Sequence, residues 1–361
     1  MKKITLFLLS LLVLCSLKTF AFPEAVRFGY NNCQACHVSP SGAGLLTGYG
    51  RNLSSEVLNT WGTEKDTGVF WRAVDRESYE KYVLVGGDIR AVQLYQDTPQ
   101  ATTGRFAKMQ AYLALGFIYE TWGGVANIGE IQDEGWAPNS NSFYGLYRPR
   151  DEFTVRAGRF IPQYGLYEPN HDAYVKSFMG LGFGGNRDTL EIQWTDEKWT
   201  FNFSRAQEFQ KDDPEISIDS QVQYSFLERF KVAANAWQSH TSSLMRTVSG
   251  FWAILGFTKN IFWITEADWQ AQRINDSDTN SFASYNKAGY TLMKGLDLFI
   301  LSEHLQTDIS DSGTITDRNG VGVQFYPVAH VELSGAWTKQ KTYTPKTQEA
   351  DYAWILFHYY L

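Results

Sequence analysis

The sequence predicts an all-β fold, an antiparallel β-barrel of about 16 strands that crosses an outer membrane. Three observations carry this. Aromatic residues make up 16% of the 361-residue chain while its mean hydropathy stays on the polar side, the mixture expected when lumen-facing polar residues dilute lipid-facing apolar ones. Apolar and polar residues alternate with a period of two through most of the chain after residue 80. No stretch reaches the roughly 20 apolar residues of a spanning helix, so any crossing must use strands.

The first element is a leader. Lys2 and Lys3 form a short basic region, Ile4 to Leu17 an apolar one, and Thr19-Phe20-Ala21 a cleavage site, so residues 1–21 read as a signal peptide. Cys15 does not read as a lipidation site, because Leu14 stands where a small residue is expected. The whole chain carries a net charge of −7, and Lys2, Lys3 and Lys18 leave with the leader. An acidic mature protein excludes nucleic acid as the natural partner.

The second element spans residues 22–80 and contains "CQACHVSPSGAGLLTGYGR". Once Cys15 is removed, Cys33 and Cys36 are the only cysteines left, so disulfide stapling of the long remainder is excluded. A thioredoxin-type dithiol needs a βαβ setting, and a zinc site needs a further ligand pair at close spacing; neither accompanies this motif. Two thiols one turn apart followed by an imidazole are what thioether attachment of haem requires. Cys33 and Cys36 are therefore expected to hold one covalent haem c, with His37 as the proximal ligand to its iron. Pro40 is placed to offer a backbone carbonyl to that imidazole, and Gly42, Gly44, Gly48 and Gly50 let the backbone approach a flat group. A domain of this size is marginal alone, and the link to the first strand has no flexible spacer. The segment is thus expected at or inside the periplasmic mouth of the barrel.

The third element, residues 81–361, is the barrel. Its strands are expected near 82–96, 105–119, 122–133, 141–148, 152–160, 189–196, 198–205, 217–226, 229–238, 245–257, 260–274, 279–293, 295–306, 316–326, 328–341 and 349–361. In the second, Ala107, Met109, Ala111, Leu113, Leu115 and Phe117 alternate with Lys108 and Gln110. In the eleventh, Ile261, Trp263, Ala267, Trp269 and Ala271 oppose Glu266, Asp268, Gln270 and Gln272, which points to a wet lumen. Connections after even strands are short and those after odd strands are often longer, and Ala353 to Leu361 alternate to the C-terminus. A soluble β-sandwich would need neither an even strand number, nor this two-sided connection rhythm, nor a final amphipathic strand. The connection from Ile161 to Asp188 is long, aromatic and glycine-rich, and is expected to fold inward and narrow the bore.

The motif directly after a leader, followed by such a barrel, resembles the fused monohaem cytochrome-porins of outer-membrane electron transfer, best known from iron-oxidising bacteria. The resemblance implies an electron conduit in which a haem at or in a barrel passes electrons between an extracellular donor or acceptor, Fe(II) among them, and a periplasmic carrier, with outer-membrane lipid around it. It also implies an electron-transfer activity of cytochrome type. A diffusion porin with a structural haem plug is the alternative, and a haem peroxidase a third reading. Candidates for the second axial ligand are His171, His240, His304, His330, His358, Met109, Met179, Met245 and Met293. Arg156 and Arg159 are candidates for pairing with haem propionates, or for balancing lumen carboxylates.

Overall fold

The computed structural model describes residues 23–54, 58–62, 82–131, 142–167, 170–182, 184–208, 211–344 and 347–361. The expected leader and most of the link before the first strand lie outside them. The strands are β1 (Val83–Asp97), β2 (Thr102–Tyr119), β3 (Trp122–Ile131), β4 (Phe143–Arg150), β5 (Phe153–Phe160), β6 (Arg187–Thr195), β7 (Trp199–Gln207), β8 (Ile216–Phe226), β9 (Phe230–His240), β10 (Leu244–Gly256), β11 (Ile261–Ile274), β12 (Ser277–Met293), β13 (Leu296–Gln306), β14 (Ile315–Phe325), β15 (Val331–Tyr343) and β16 (Gln348–Tyr360). Each pairs antiparallel with its sequence neighbours, and β1 closes on β16 with Ala91 opposite Phe357. All sixteen expected strands are present, with ends displaced by at most three residues.

Closure leaves no strand at a free edge of the sheet, and the outer surface supplies the rest of what a membrane demands. Leu190, Ile192 and Trp194 on β6 and Trp199, Phe201 and Phe203 on β7 are exposed on it. Connections after even strands span at most five residues, which marks the periplasmic end. Aromatic rings gird that end, with Trp122 and Tyr147 centroids 4.3 Å apart and Trp199 and Tyr224 4.5 Å apart. A second row, Phe251, Trp269 and Phe282, lies nearer the other end. This exterior places the chain in an outer membrane. At the opposite end the length asymmetry rests chiefly on 161–186, 208–215 and 307–314, since 241–243 and 275–276 are tight turns.

Two expectations need correction. The alternation in β2 is not continuous: Arg90 pairs with Gln110 and Ala91 with Lys108, so Met109 is a bulge that reverses the faces. Leu113, Leu115 and Phe117 face outward on one side of it, and Phe106, 69% exposed, does so on the other. Ala107 pairs with buried Val92 and therefore lies on the inner face.

Nor is the lumen simply wet. Glu266 and Asp268 are 0% exposed, and the inner face of the same strand also carries buried Phe262 and Ile264. Residues 161–186 fold inward, and their Tyr164, Leu166, Val175, Met179 and Leu181 pack on Trp237, Val248, Trp252, Ile264, Tyr285 and Leu301 of the wall. Lys176 Nζ meets Glu266 Oε1 at 2.8 Å, and Tyr164 donates its hydroxyl to Asp268 at 2.9 Å. The inward course of this connection is as its length and composition suggested.

Candidate functional site

Residues 23–62, as far as described, lie inside the periplasmic half of the bore. Asn32 caps a single 3-10 turn, Cys33–Ala35, by accepting the Gln34 N–H at 3.0 Å. The N–H groups of Cys36 and His37 both donate to the Cys33 carbonyl, at 3.2 and 3.0 Å. One tight turn thereby gathers the two thiols and the imidazole. The thiols are not joined as a disulfide. Burial pushes the Cys36 thiol up to about 12.

The chain then loops back, with Val38 donating to the Leu45 carbonyl at 3.0 Å and His37 bridged to Leu46. Thr47 joins the two ends of the loop. Its N–H donates to the Cys36 carbonyl at 2.9 Å and its hydroxyl to the Ala35 carbonyl at 2.8 Å. The same hydroxyl accepts from Gly50 at 3.1 Å and so caps the helix Gly48–Leu53. A Cβ at position 50 would collide with the Cys36 carbonyl, so glycine here sets how closely helix and cysteine turn can pack.

Contacts around the barrel hold this plug. Gln34 Nε2 donates to Gln193 on β6 at 2.6 Å, and Lys231 on β9 donates to the Asn31 carbonyl at 2.6 Å. Arg27 pairs with Asp297 on β13 at 3.0 Å, and Ser54 hydrogen-bonds the Tyr360 hydroxyl on β16 at 2.9 Å. Arg51 donates to the Val85 carbonyl on β1, and Leu45 packs beside Gly86.

Above and beside the cysteine turn is a cavity that encloses, open mouths included, about 1760 Å³. The plug contributes Cys33, Cys36 and His37 to its lining, the inward loop Tyr164, Tyr167, His171 and Leu181, and the wall Asp88, Arg90, Tyr112, Trp252 and His358. His358 is committed at both ring nitrogens, Nδ1 to Glu332 at 2.8 Å and Nε2 to Asp88 at 3.1 Å. Burial, reinforced by the nearby Arg90 guanidinium, pushes the His171 imidazole down to about 3. Cysteine thiols and an imidazole presented together on a cavity lined by rings and aliphatic groups form a donor set that suits a covalently attached haem.

Other expected roles change. Arg156 pairs with Glu191 at 2.8 Å, donates to the Ser39 and Ser41 hydroxyls at 2.8 and 3.2 Å, and lies 3.7 Å over the Phe160 ring. Arg159 pairs with Asp188 at 2.7 Å. Arg156 therefore balances a lumen carboxylate, the second of the two roles expected for it, whereas Arg159 and Asp188 share the outward parity of Ala157, Leu190 and Ile192 and stand on the other face of the wall. The Pro40 carbonyl accepts from Gln193 Nε2 at 3.4 Å, so it serves the contact with the wall. The carboxylates Asp88 and Glu332 that hold His358, and Tyr167, escaped the sequence reading. The one signal for the two carboxylates was the inner parity of β1 and β15, which marks a lumen residue without naming its partner.

No family model and no characterised protein matches the sequence. Solved structures match the fold. An anion-selective porin from Comamonas acidovorans, 10% identical, has a TM-score of 0.60 over 77% of this chain and 99% of its own. The outer-membrane protein OmpT of Vibrio cholerae, 9% identical, has a TM-score of 0.61 over 77% and 97%. OprB of Pseudomonas putida, 10% identical, has a TM-score of 0.60 over 85% and 99%.

Proposed function

We propose that this barrel is an outer-membrane electron conduit, with one c-type haem bound through Cys33 and Cys36 and ligated by His37 within the bore. The observation that carries the reading is the position of the cysteine turn: it sits inside the barrel on a cavity that it shares with the inward loop. Lipid insulates, and a hydrocarbon band about 25 Å tall cannot be bridged by one haem hanging below it. A single carrier serves only if it is held within the band.

When bound, the group supplies a one-electron Fe(III)/Fe(II) couple. The chain's residues do the rest. The turn 33–37 fixes two attachment points and one ligand direction, Thr47 and Gly50 hold that turn against the helix, and the loop 161–186 lines the cavity beside it. One electron leaves a reduced partner at one mouth and one reaches an oxidised carrier at the other. Dissolved Fe(II) is the external donor suggested by the family resemblance.

The second reading, a diffusion porin whose plug is structural, is favoured by the comparisons, because the fold matches are to porins. Sealed liposomes with the protein oriented outward separate the two. After addition of a membrane-impermeant Fe(II) complex outside, rapid reduction of the haem together with a nearly silent planar-bilayer record supports the conduit. Large steady channels with a haem reduced only by permeant reagents support the porin.

A further inference from the structure

We propose that His171 is the second axial ligand of the haem, an inference that rests on the reading of Cys33, Cys36 and His37 as its attachment set. Position excludes the other candidates. His240 is exposed on the last residue of β9, and Met245 and Met293 are exposed on the barrel surface. His304 bonds Asp317 at 2.6 Å on the outer face, and Met109 forms the bulge of β2. Met179 is fully buried in the apolar cluster between loop and wall, and His330 lies in the short β14–β15 turn with its ring on Tyr360; neither lines the cavity. Two of the candidates share the cavity with His37, namely His171 and His358. His358 holds carboxylates on both nitrogens, and a metal would have to break one of these buried bonds.

His171 lines the same cavity from the inward loop. The residues that follow it are fixed. Asp172 pairs with Arg318, whose Nη2 also donates to the Asp172 carbonyl at 2.6 Å. Arg318 is in turn locked to Glu303 at 2.9 Å, and the Tyr174 N–H donates to Glu303 at 2.9 Å. This clamp presents position 171 from a rigid backbone, as a ligand site needs. Two imidazoles would give a six-coordinate iron with a lower potential than histidine–methionine ligation and no open distal position for peroxide.

The test uses full-length protein made with c-type haem attachment. Covalent haem is quantified first; its absence overturns the reading of the cysteine motif and is recognised before any ligand question arises. The near-infrared charge-transfer band and EPR of the ferric wild type are then recorded. A bis-histidine low-spin signature is expected, and a histidine–methionine or high-spin signature overturns the proposal without any variant. His171→Ala, with folding checked by heat-modifiable migration, should become high-spin and return to low-spin on adding imidazole. His171→Met should move the near-infrared band to its methionine position and raise the potential, whereas His358→Gln should leave the band in place. Wild-type spectra in both His171 variants, or loss of the low-spin signature in His358→Gln, would show that His171 is not the ligand.

Discussion

Two pieces of chain fill the same bore, and they are held in different ways. The inward loop 161–186 is locked to buried charges of the wall, through Lys176 to Glu266, the exposed Asp172 and the Tyr174 N–H to the buried Arg318–Glu303 pair, and the Met179 carbonyl to Arg246, over an apolar cluster. The N-terminal plug 23–62 has one buried ion pair to the wall among its described contacts, Arg27 with Asp297, and otherwise hydrogen bonds spread around the barrel in which at most one partner is charged. Both border the cavity, the loop through Tyr164, Tyr167, His171 and Leu181 and the plug through Cys33, Cys36 and His37. The loop is the more strongly charge-bound of the two, and the plug is the piece that presents the cysteine turn.

The difference can be tested from the largest effect down. Glu266→Ala leaves the Lys176 ammonium buried without its carboxylate and should cost about 3–5 kcal/mol. Urea unfolding in detergent measures this, and a loss under 1 kcal/mol would mean that the loop is not locked by charge. On the outer wall, Phe203→Arg places a charge near mid-height of the lipid face and should cost about 2–4 kcal/mol. An unchanged midpoint in lipid would place that sector outside the hydrocarbon.

Thr47→Ala removes a helix cap worth about 1 kcal/mol together with the tie to Ala35. Because it acts on the plug, the barrel's unfolding midpoint should stay put while Cys36 in haem-free protein becomes faster to alkylate. In the parent, Cys36 should react more slowly than the half-exposed Cys33, given its burial and raised pKa. Equal rates would show that the cysteine turn is not packed as described. Finally, Lys341→Ala removes an exposed pair with Glu349, 2.9 Å long, and should change nothing measurable. A clear loss there would point to an unrecognised contact on the outer rim.

The barrel was legible because its signal is local. Period two places Trp263 outside and Glu266 inside without knowledge of any partner, and all sixteen strands follow from it. Met109 shows the limit, since a bulge adds one residue with no compositional mark and reverses every face beyond it. The cysteine–histidine motif stands out for the same local reason, being five consecutive residues that one turn gathers. What the cavity does with Arg156, Pro40 or His358 depends on partners such as Ser39, Gln193 and Asp88, which lie far away in sequence. Alternation says that such residues face inward, and only closure of the barrel says what they meet.

The most direct test of the central claim is the mass and visible spectrum of the full-length protein, purified from cells that attach c-type haem, beside Cys33→Ser/Cys36→Ser. The account predicts one covalently bound haem on the wild type, retained after denaturation, and none on the variant, with both still migrating as folded barrels. A folded wild-type barrel that carries no haem would contradict it and leave a plugged porin.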